Sequence, residues 1–503
     1  MSVNAYTNSN SSTNSFGRID SRQLAPEELS DALDRLLATR KDSPVSLQFP
    51  QLVRLLDGVT KVNPHQHITG SVGHRDLLRR VIRIYQHDAA ARAAFLEYVA
   101  SQGMVENHAL GRFFSQSPAD LLRWMEAHIP LPGDPLDFED ADDRLGLVRL
   151  AFQSGGVESH SLLREAYRTV ALENLAHGVT EVWFRTSLGD HESEAFLEAA
   201  GAALEGAGAV DSDAAIPISV RFLVGLRKRH PDDDGAGPAV LTDTRAEKLV
   251  EAVITLRDRT PGARAMITGI DSVGMDSCWL PEWQAPARRR ALAQRLHVAV
   301  HLGESWLEGD LPDKLNMLWD LVAHGVIHQL DNANALFAVK DLTSRHQQYS
   351  NDEWVEIRRL QQANFQAMAD RGIVLGINPT SNDLLTRSLR RREGWRFRAL
   401  TEPLGLGHPA AADLMLSAGP GHRPLIVVVG NDNSRLYPSR VAGGFLTVSE
   451  ELANLWDTPS SIHSSVYGKL STTDIARIIR NGFILSQVAN QGWFVDQPQN
   501  VYS

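Results

Sequence analysis

Eight short β-rich runs, each followed by loop and helical text, constrain this chain more than any other feature. They are Val62–His67, Glu181–Arg185, Ile218–Gly225, Ala265–Asp271, Leu296–His301, Val326–His328, Ile373–Ile377 and Leu425–Val429. Strands that alternate with helices pair in parallel. Eight of them predict an α/β fold of the TIM-type (β/α)8 class, whose chemistry comes from the carboxyl ends of several strands. With 503 residues, 43% of them hydrophobic, the chain can bury a core of that size.

Around the barrel, residues 1–25 read as a disordered arm, dominated at first by Ser, Asn and Thr. Residues 26–60 read as a helical preface, with apolar residues near helical spacing and acids in the first turn. The barrel then occupies 61–495. Within it, the segment 75–176 has a mostly helical pattern and reads as a lid-like insertion after the first strand. Segments 232–238, acidic and Gly-rich, and 387–398, strongly basic, read as surface loops. No repeat of solenoid period is present.

A formal net charge of -11 argues against duplex nucleic acid or an anionic membrane surface as the main partner. The single cysteine, Cys278, excludes an internal disulfide framework and a thiolate metal cluster, so a metal here must use histidines and carboxylates. No apolar run is long enough to span a bilayer, and the first residues lack the basic-then-apolar pattern of a secretory signal. The expected compartment is the cytoplasm.

Three places carry candidate chemistry. In Lys61-Val-Asn-Pro-His-Gln-His, His65 and His67 are two apart on a predicted strand, so both leave on one face and can share a metal ion. With 18 histidines in the chain, a chance His-x-His is the competing explanation. The run Val298-Ala-Val-His-Leu-Gly-Glu ends a strand in His301 with Glu304 three residues on, either a ligand and an acid or a turn with a solvated carboxylate. After the most apolar strand comes Asp432, placed where a barrel presents a carboxylate to its mouth; an ordinary helix N-cap is the alternative. Three histidines and one aspartate leave a coordination position for water, and zinc, one ion per chain, suits that set. Such an ion acidifies its water. Glu304 is placed to give a proton to an electron-poor ring as the water adds.

Taken together, these elements and their order resemble the adenosine deaminase family over about 61–488. Beside the two histidine motifs, Gly178-Val-Thr-Glu-Val-Trp-Phe-Arg, Ile270-Asp-Ser-Val-Gly-Met-Asp, Asn378-Pro-Thr-Ser-Asn, His408-Pro409 and Leu470-Ser-Thr-Thr-Asp-Ile-Ala-Arg-Ile-Ile-Arg-Asn-Gly-Phe are similar to that family's motifs. The resemblance implies that His65, His67, His301 and Asp432 bind the metal, that Glu304 protonates a ring nitrogen, and that Gly274 lies against a purine. Three departures bear on it. Where the family has a water-orienting histidine, Ala323-His-Gly-Val-Ile-His-Gln-Leu offers two candidates. We favour His328, reading Gly325 as a helix cap and Val326-Ile327 as the strand leading to it. Where the family has a second aspartate on the base, this chain has Asn433, which offers a hydrogen bond with a different balance of donor and acceptor. Thr69 replaces an aspartate that meets the ribose 5′-hydroxyl, which removes a charge that would repel a 5′-phosphate. Arg75 is the nearest of several arginines suited to phosphate.

The leading expectation is hydrolytic deamination of a 6-aminopurine nucleoside or nucleotide, with the nucleotide favoured. Hydrolysis of another heterocycle or a cyclic amide keeps the same metal and fold. A third reading is a nucleotide-binding scaffold that assembles with copies of itself or with a partner protein. Nucleic-acid editing is disfavoured by the acidic balance and the lack of an aromatic-basic stripe.

Overall fold

A computed structural model describes residues 19–38, 49–71, 156–186, 218–228, 243–260, 262–274, 276, 279–304, 310–338, 349–382, 425–435, 445–456 and 470–491, with a few isolated positions besides. Most of the segment expected to form the lid-like insertion, Arg75, His408-Pro409 and both expected surface loops lie outside them.

The chain opens with α1 (Pro26–Ala38) and α2 (Phe49–Asp57). The first strand, β1 (Lys61–His67), is followed among the described residues by α3 (Gly156–Ala176) and then β2 (Val179–Thr186) and β3 (Ser219–Arg227). Next come α4 (Thr244–Arg259), β4 (Ile267–Val273), α5 (Ala285–Ala293) and β5 (His297–His301). The remainder runs α6 (Leu311–His324), β6 (Gln329–Asp331), α7 (Asn351–Arg371), β7 (Val374–Ile377), β8 (Ile426–Val429), α8 (Val448–Leu455) and α9 (Thr472–Gln491).

All eight strands pair in parallel with their neighbours in sequence order, from β1 to β8. The sheet curls until its edges meet in a bridge between Gln66 and Asp432, where His67 donates its N–H to the Asp432 carbonyl (2.9 Å) and Asp432 donates to that of His65 (3.0 Å). This is the (β/α)8 barrel expected from the strand count. Strands buried on both faces read as continuous apolar runs, as Ile426-Val-Val-Val does. Helices with one apolar stripe cover them, and their ends obey local rules. Ser350 and Glu353 form a reciprocal capping box on α7, and Gly372 ends that helix in left-handed backbone (φ 66°).

Two expectations need correction. The arm expected over 1–25 is ordered from residue 19: Ile19 pairs with Val59, and Ser21 is buried and accepts the Oγ1 hydroxyl or donates to it at Thr60 (3.0 Å). The sixth strand begins at Gln329, not Val326. Sequence pattern favours the apolar Val326-Ile327 as strand, yet the barrel interior takes polar side chains here. Gln329 donates to Asp331 Oδ1 (2.8 Å) and contacts the buried ring of His297 (3.1 Å), so its polarity is satisfied inside. Gly325 does cap α6, in extended backbone.

Candidate metal centre and its proton donor

The alternation of β1 turns His65 and His67 to the same side, and β5 delivers His301 from the opposite part of the barrel. His65 Nε2 lies 3.1 Å from His67 Nε2 and 3.2 Å from His301 Nε2. Nitrogens bound tetrahedrally to one zinc ion at about 2.0–2.1 Å stand roughly 3.3 Å from one another, so this spacing fits a shared divalent ion. Asp432 Oδ1 is 3.6 Å from His67 Nε2. Its backbone is left-handed (φ 51°), a conformation that aspartate tolerates better than most residues, and both of its backbone groups are tied to β1. Three imidazoles therefore meet at the carboxyl end of the barrel, on the seam that closes it, with the Asp432 carboxylate beside His67.

The other nitrogen of two of these rings is held from behind. His301 Nδ1 is 3.0 Å from Asp271 Oδ1, and His65 Nδ1 is 3.4 Å from Asp331 Oδ1 and 3.3 Å from Asn378 Nδ2. An Nδ1–H facing a carboxylate sets the tautomer and leaves the Nε2 lone pair for a metal. Arg185 lies between the two carboxylates: Nη2 donates to Asp331 Oδ2 (2.9 Å) and to the Pro64 carbonyl (3.0 Å), and Nη1 is 3.5 Å from Asp271 Oδ2. Asp271, His301 and Asp331 could in principle form a second metal group. Their carboxylates, committed to Arg185, serve the histidines instead.

The charges follow from this packing. Burial opposes ionisation of Asp331, but Arg185 foremost and then His65 outweigh it and hold the carboxyl well below the usual range. Burial also opposes a charge on His301, yet Asp271 overrides it and raises the imidazole to about 9. Burial has the opposite outcome at His65, whose pKa it lowers despite Asp331, so that ring is neutral and free to act as a ligand. Gly376 makes the arrangement fit: a Cβ there would stand 1.8 Å from Asp331 Oδ1.

Glu304 sits one turn beyond His301. Gly303, in left-handed backbone (φ 82°), bends the chain, and its N–H donates to Asp276 Oδ2 (2.8 Å), itself anchored by buried Lys228 (2.5 Å). Asn334 donates to the Glu304 carbonyl (3.1 Å), and Asn332 donates from Nδ2 to Oε1 of its carboxyl (3.0 Å). Burial, reinforced by Asp432 and Asp276 and opposed by His301, pushes the Glu304 carboxyl up to about 8. A carboxyl that keeps its proton near neutrality can act as a general acid.

The structure separates His328 from this group. It precedes β6, at the amino end of the barrel, where Val298 donates its N–H to His328 Nδ1 (2.9 Å) and the ring stacks on His297. Three residues at about 3.3 Å each put it roughly 10 Å below the level of Asp331. Burial, with Arg371 adding to it, lowers its pKa to about 3. His324 is exposed on the last turn of α6. The residue paired across from His301 is Asp331, so an aspartate stands where the resemblance led us to expect a histidine. Gly274 follows β4 at the same end as the metal group and its carbonyl accepts from Lys228 Nζ (3.0 Å). Asn433 is buried and donates to Asp432 Oδ1 (2.7 Å). Thr69 is half-buried in the turn after β1.

Several residues with evident parts in the site carried no role in the sequence reading: Arg185, Asp271, Asp331, Asn332 and Tyr437. A charged residue inside an apolar strand, as in Gly269-Ile-Asp-Ser-Val, is the signal that could have found the first three. Tyr437 is fully enclosed, and burial first, then Asp432 and Glu304, raise its phenol well above the ordinary value. A separate cavity of about 640 Å³, lined in part by Arg221, Arg257 and Arg264, lies at the amino ends of β3 and β4, away from the histidines.

Among known proteins, no family profile and no curated sequence matches this chain. Among solved structures it is similar to the N6-methyl-AMP deaminase of Arabidopsis thaliana, at 16% identity and a TM-score of 0.45 over 80% of this chain and 86% of that one. It is also similar to a zinc-bound amidohydrolase from Burkholderia ambifaria (14% identity, TM-score 0.48, 88% of each chain). A third is the adenine deaminase of Arthrobacter aurescens (13% identity, TM-score 0.45, 85% of this chain and 99% of that one).

Proposed function

We propose that this protein hydrolytically deaminates a 6-aminopurine nucleoside or nucleotide, with the nucleotide preferred, giving the 6-oxo product and ammonia. The observation that carries the reading is the meeting of three imidazoles, with His67 Nε2 and His301 Nε2 at 3.1 and 3.2 Å from His65 Nε2, at a barrel mouth that also holds the buried acid Glu304. His65, His67, His301 and Asp432 would hold the ion, and zinc bound there would supply a water acidified toward neutrality.

The remaining work belongs to side chains. Glu304 delivers a proton to the ring nitrogen adjacent to the amino-bearing carbon, so that the ring can accept the incoming oxygen without building negative charge. Asp432, beside His67, accepts the proton that the water loses and passes it toward the departing amine. In this reading Asp432 does alone what a histidine from β6 was expected to share. Thr69 leaves the ribose end without a carboxylate, and a 5′-phosphate can approach it. Gly274 and Asn433 contact the base. Arg75, beyond the described residues, remains a candidate for the phosphate.

The test is a panel of adenosine, AMP, dAMP and ATP with metal-loaded protein, followed by product mass. Conversion of amine to oxo identifies the reaction directly; a panel left unchanged overturns it. Asn433 sustains one second reading, deamination or ring opening of another heterocycle. Its Nδ2 is engaged by Asp432 and its Oδ1 packs against Gly70, so the hydrogen-bonding group it offers differs from that of an aspartate. Pyrimidines and cyclic amides belong in the same panel for that reason.

A further inference from the structure

We infer that Asn332 is the positioning residue that aims the proton of Glu304 at the substrate. This inference rests on the deamination reading, in which Glu304 is the acid. It starts from the orientation of one amide. Asn332 Oδ1 accepts from two donors, Asn378 Nδ2 (2.8 Å) and Asn382 Nδ2 (3.0 Å). An oxygen that faces two N–H groups leaves no choice for the other end of the amide: Nδ2 must face Glu304, where it lies 3.0 Å from Oε1.

The consequence for the carboxyl is specific. Oε1, receiving an N–H, is an acceptor in this arrangement, so the carboxyl proton resides on Oε2. Without Asn332 this bias is lost and the carboxyl could turn its proton away from the reacting ring.

The backbone is built for this task. Asn332 has left-handed φ (54°), which asparagine adopts more readily than most residues, and its N–H is tied to the Gly376 carbonyl (3.1 Å). It is 2% exposed, and Asn378, Asn382 and Glu304 are buried with it, so water is kept from the contact. Asn382 Oδ1 accepts the Asn378 backbone N–H (3.0 Å), which fixes the end of the Asn382 amide that faces Asn332.

Two variants test this in the full-length, metal-loaded protein. Asn332→Ala removes the donor; Asn332→Asp keeps the oxygen that Asn378 and Asn382 bond but turns the donor into an acceptor that captures the Glu304 proton. On a purine that the wild-type enzyme turns over, each should lower kcat by about 10²-fold, the low end for general acid catalysis, with KM changed less than about threefold. In a Glu304→Gln background, where no proton remains to be aimed, Asn332→Ala should cost less than about twofold more. Equal losses in both backgrounds, or unchanged kcat in the single variants, overturn the inference. Infrared difference spectra against Glu304→Gln in acid buffer read the contact without any substrate: the Glu304 carbonyl band should move to higher wavenumber in Asn332→Ala, and a band that does not move also overturns it. If the wild-type enzyme turns over no purine while the band shifts as expected, the hydrogen bond stands and the deamination reading falls.

Discussion

His301 Nδ1 lies 3.0 Å from Asp271 Oδ1, a contact between the ends of two adjacent strands that fixes which nitrogen of the ring is left for a metal. Asp271 is fully buried and shares Arg185 with Asp331, so the carboxylate is held in place behind the ring. Asp271→Asn preserves shape but removes the carboxylate that orders the ring. Supports of this kind contribute about 10–100-fold in metal affinity. Competition with a zinc-selective chelator should show a loss in that range, while Asn substitution of exposed Asp258 leaves affinity as it was.

Glu304→Gln should leave the metal in place and abolish most of the turnover. The amide is isosteric and can still accept from Asn332, but it has no proton to give. A loss of about 10²–10⁴-fold in kcat is expected for a missing general acid. Metal content by elemental analysis should equal that of the wild type; a variant that has lost its metal would mean that Glu304 supports binding instead.

How far the sequence reaches is clearest at the sixth strand. The other strands lie within about two residues of their expected bounds, most of them declared by apolar runs such as the one that ends in His301; β1, Lys-Val-Asn-Pro-His-Gln-His, is marked instead by its two histidines. The sixth has one apolar residue between Gln329 and Asp331, and these two polar side chains face inward to partners supplied by other strands. Satisfied burial of polar groups is a tertiary property that no local pattern displays. The same holds for Asn332, whose meaning depends on Asn378 and Asn382 arriving from the next strand.

The displaced histidine gives a prediction of its own. His328→Asn should retain turnover within about threefold, because the ring lies at the amino end of the barrel and an asparagine oxygen can accept from Val298 N–H. Stability should change in acid. With a folded pKa of about 3 against an unfolded value near 6.5, wild-type His328 takes up its proton only on unfolding, so its contribution is intact above about 6.5 and is lost as pH falls toward 3. The slope it adds is at most about 1.4 kcal/mol per pH unit, and the variant should lack it. Urea denaturation at several pH values between about 4 and 7 reads this directly. A collapse of turnover with the fold intact would return His328 to the catalytic group.

Thr69 gives the sharpest test of substrate. It lies in the turn after β1, two residues beyond His67 and half-buried, close in the chain to the proposed metal group. A threonine presents a hydroxyl that can donate to a phosphate oxygen. Thr69→Asp places a negative charge at the same point, and two like charges about 4 Å apart at a partly solvated site repel by several kcal/mol before screening. Discounting that for exposure and salt, kcat/KM for AMP should fall by at least about tenfold, while that for adenosine is unchanged or improved. The ratio of the two specificity constants is the quantity to measure, since a general loss of stability lowers both together. If the ratio is unmoved, the phosphate is not held near Thr69 and the nucleotide preference must come from elsewhere in the chain.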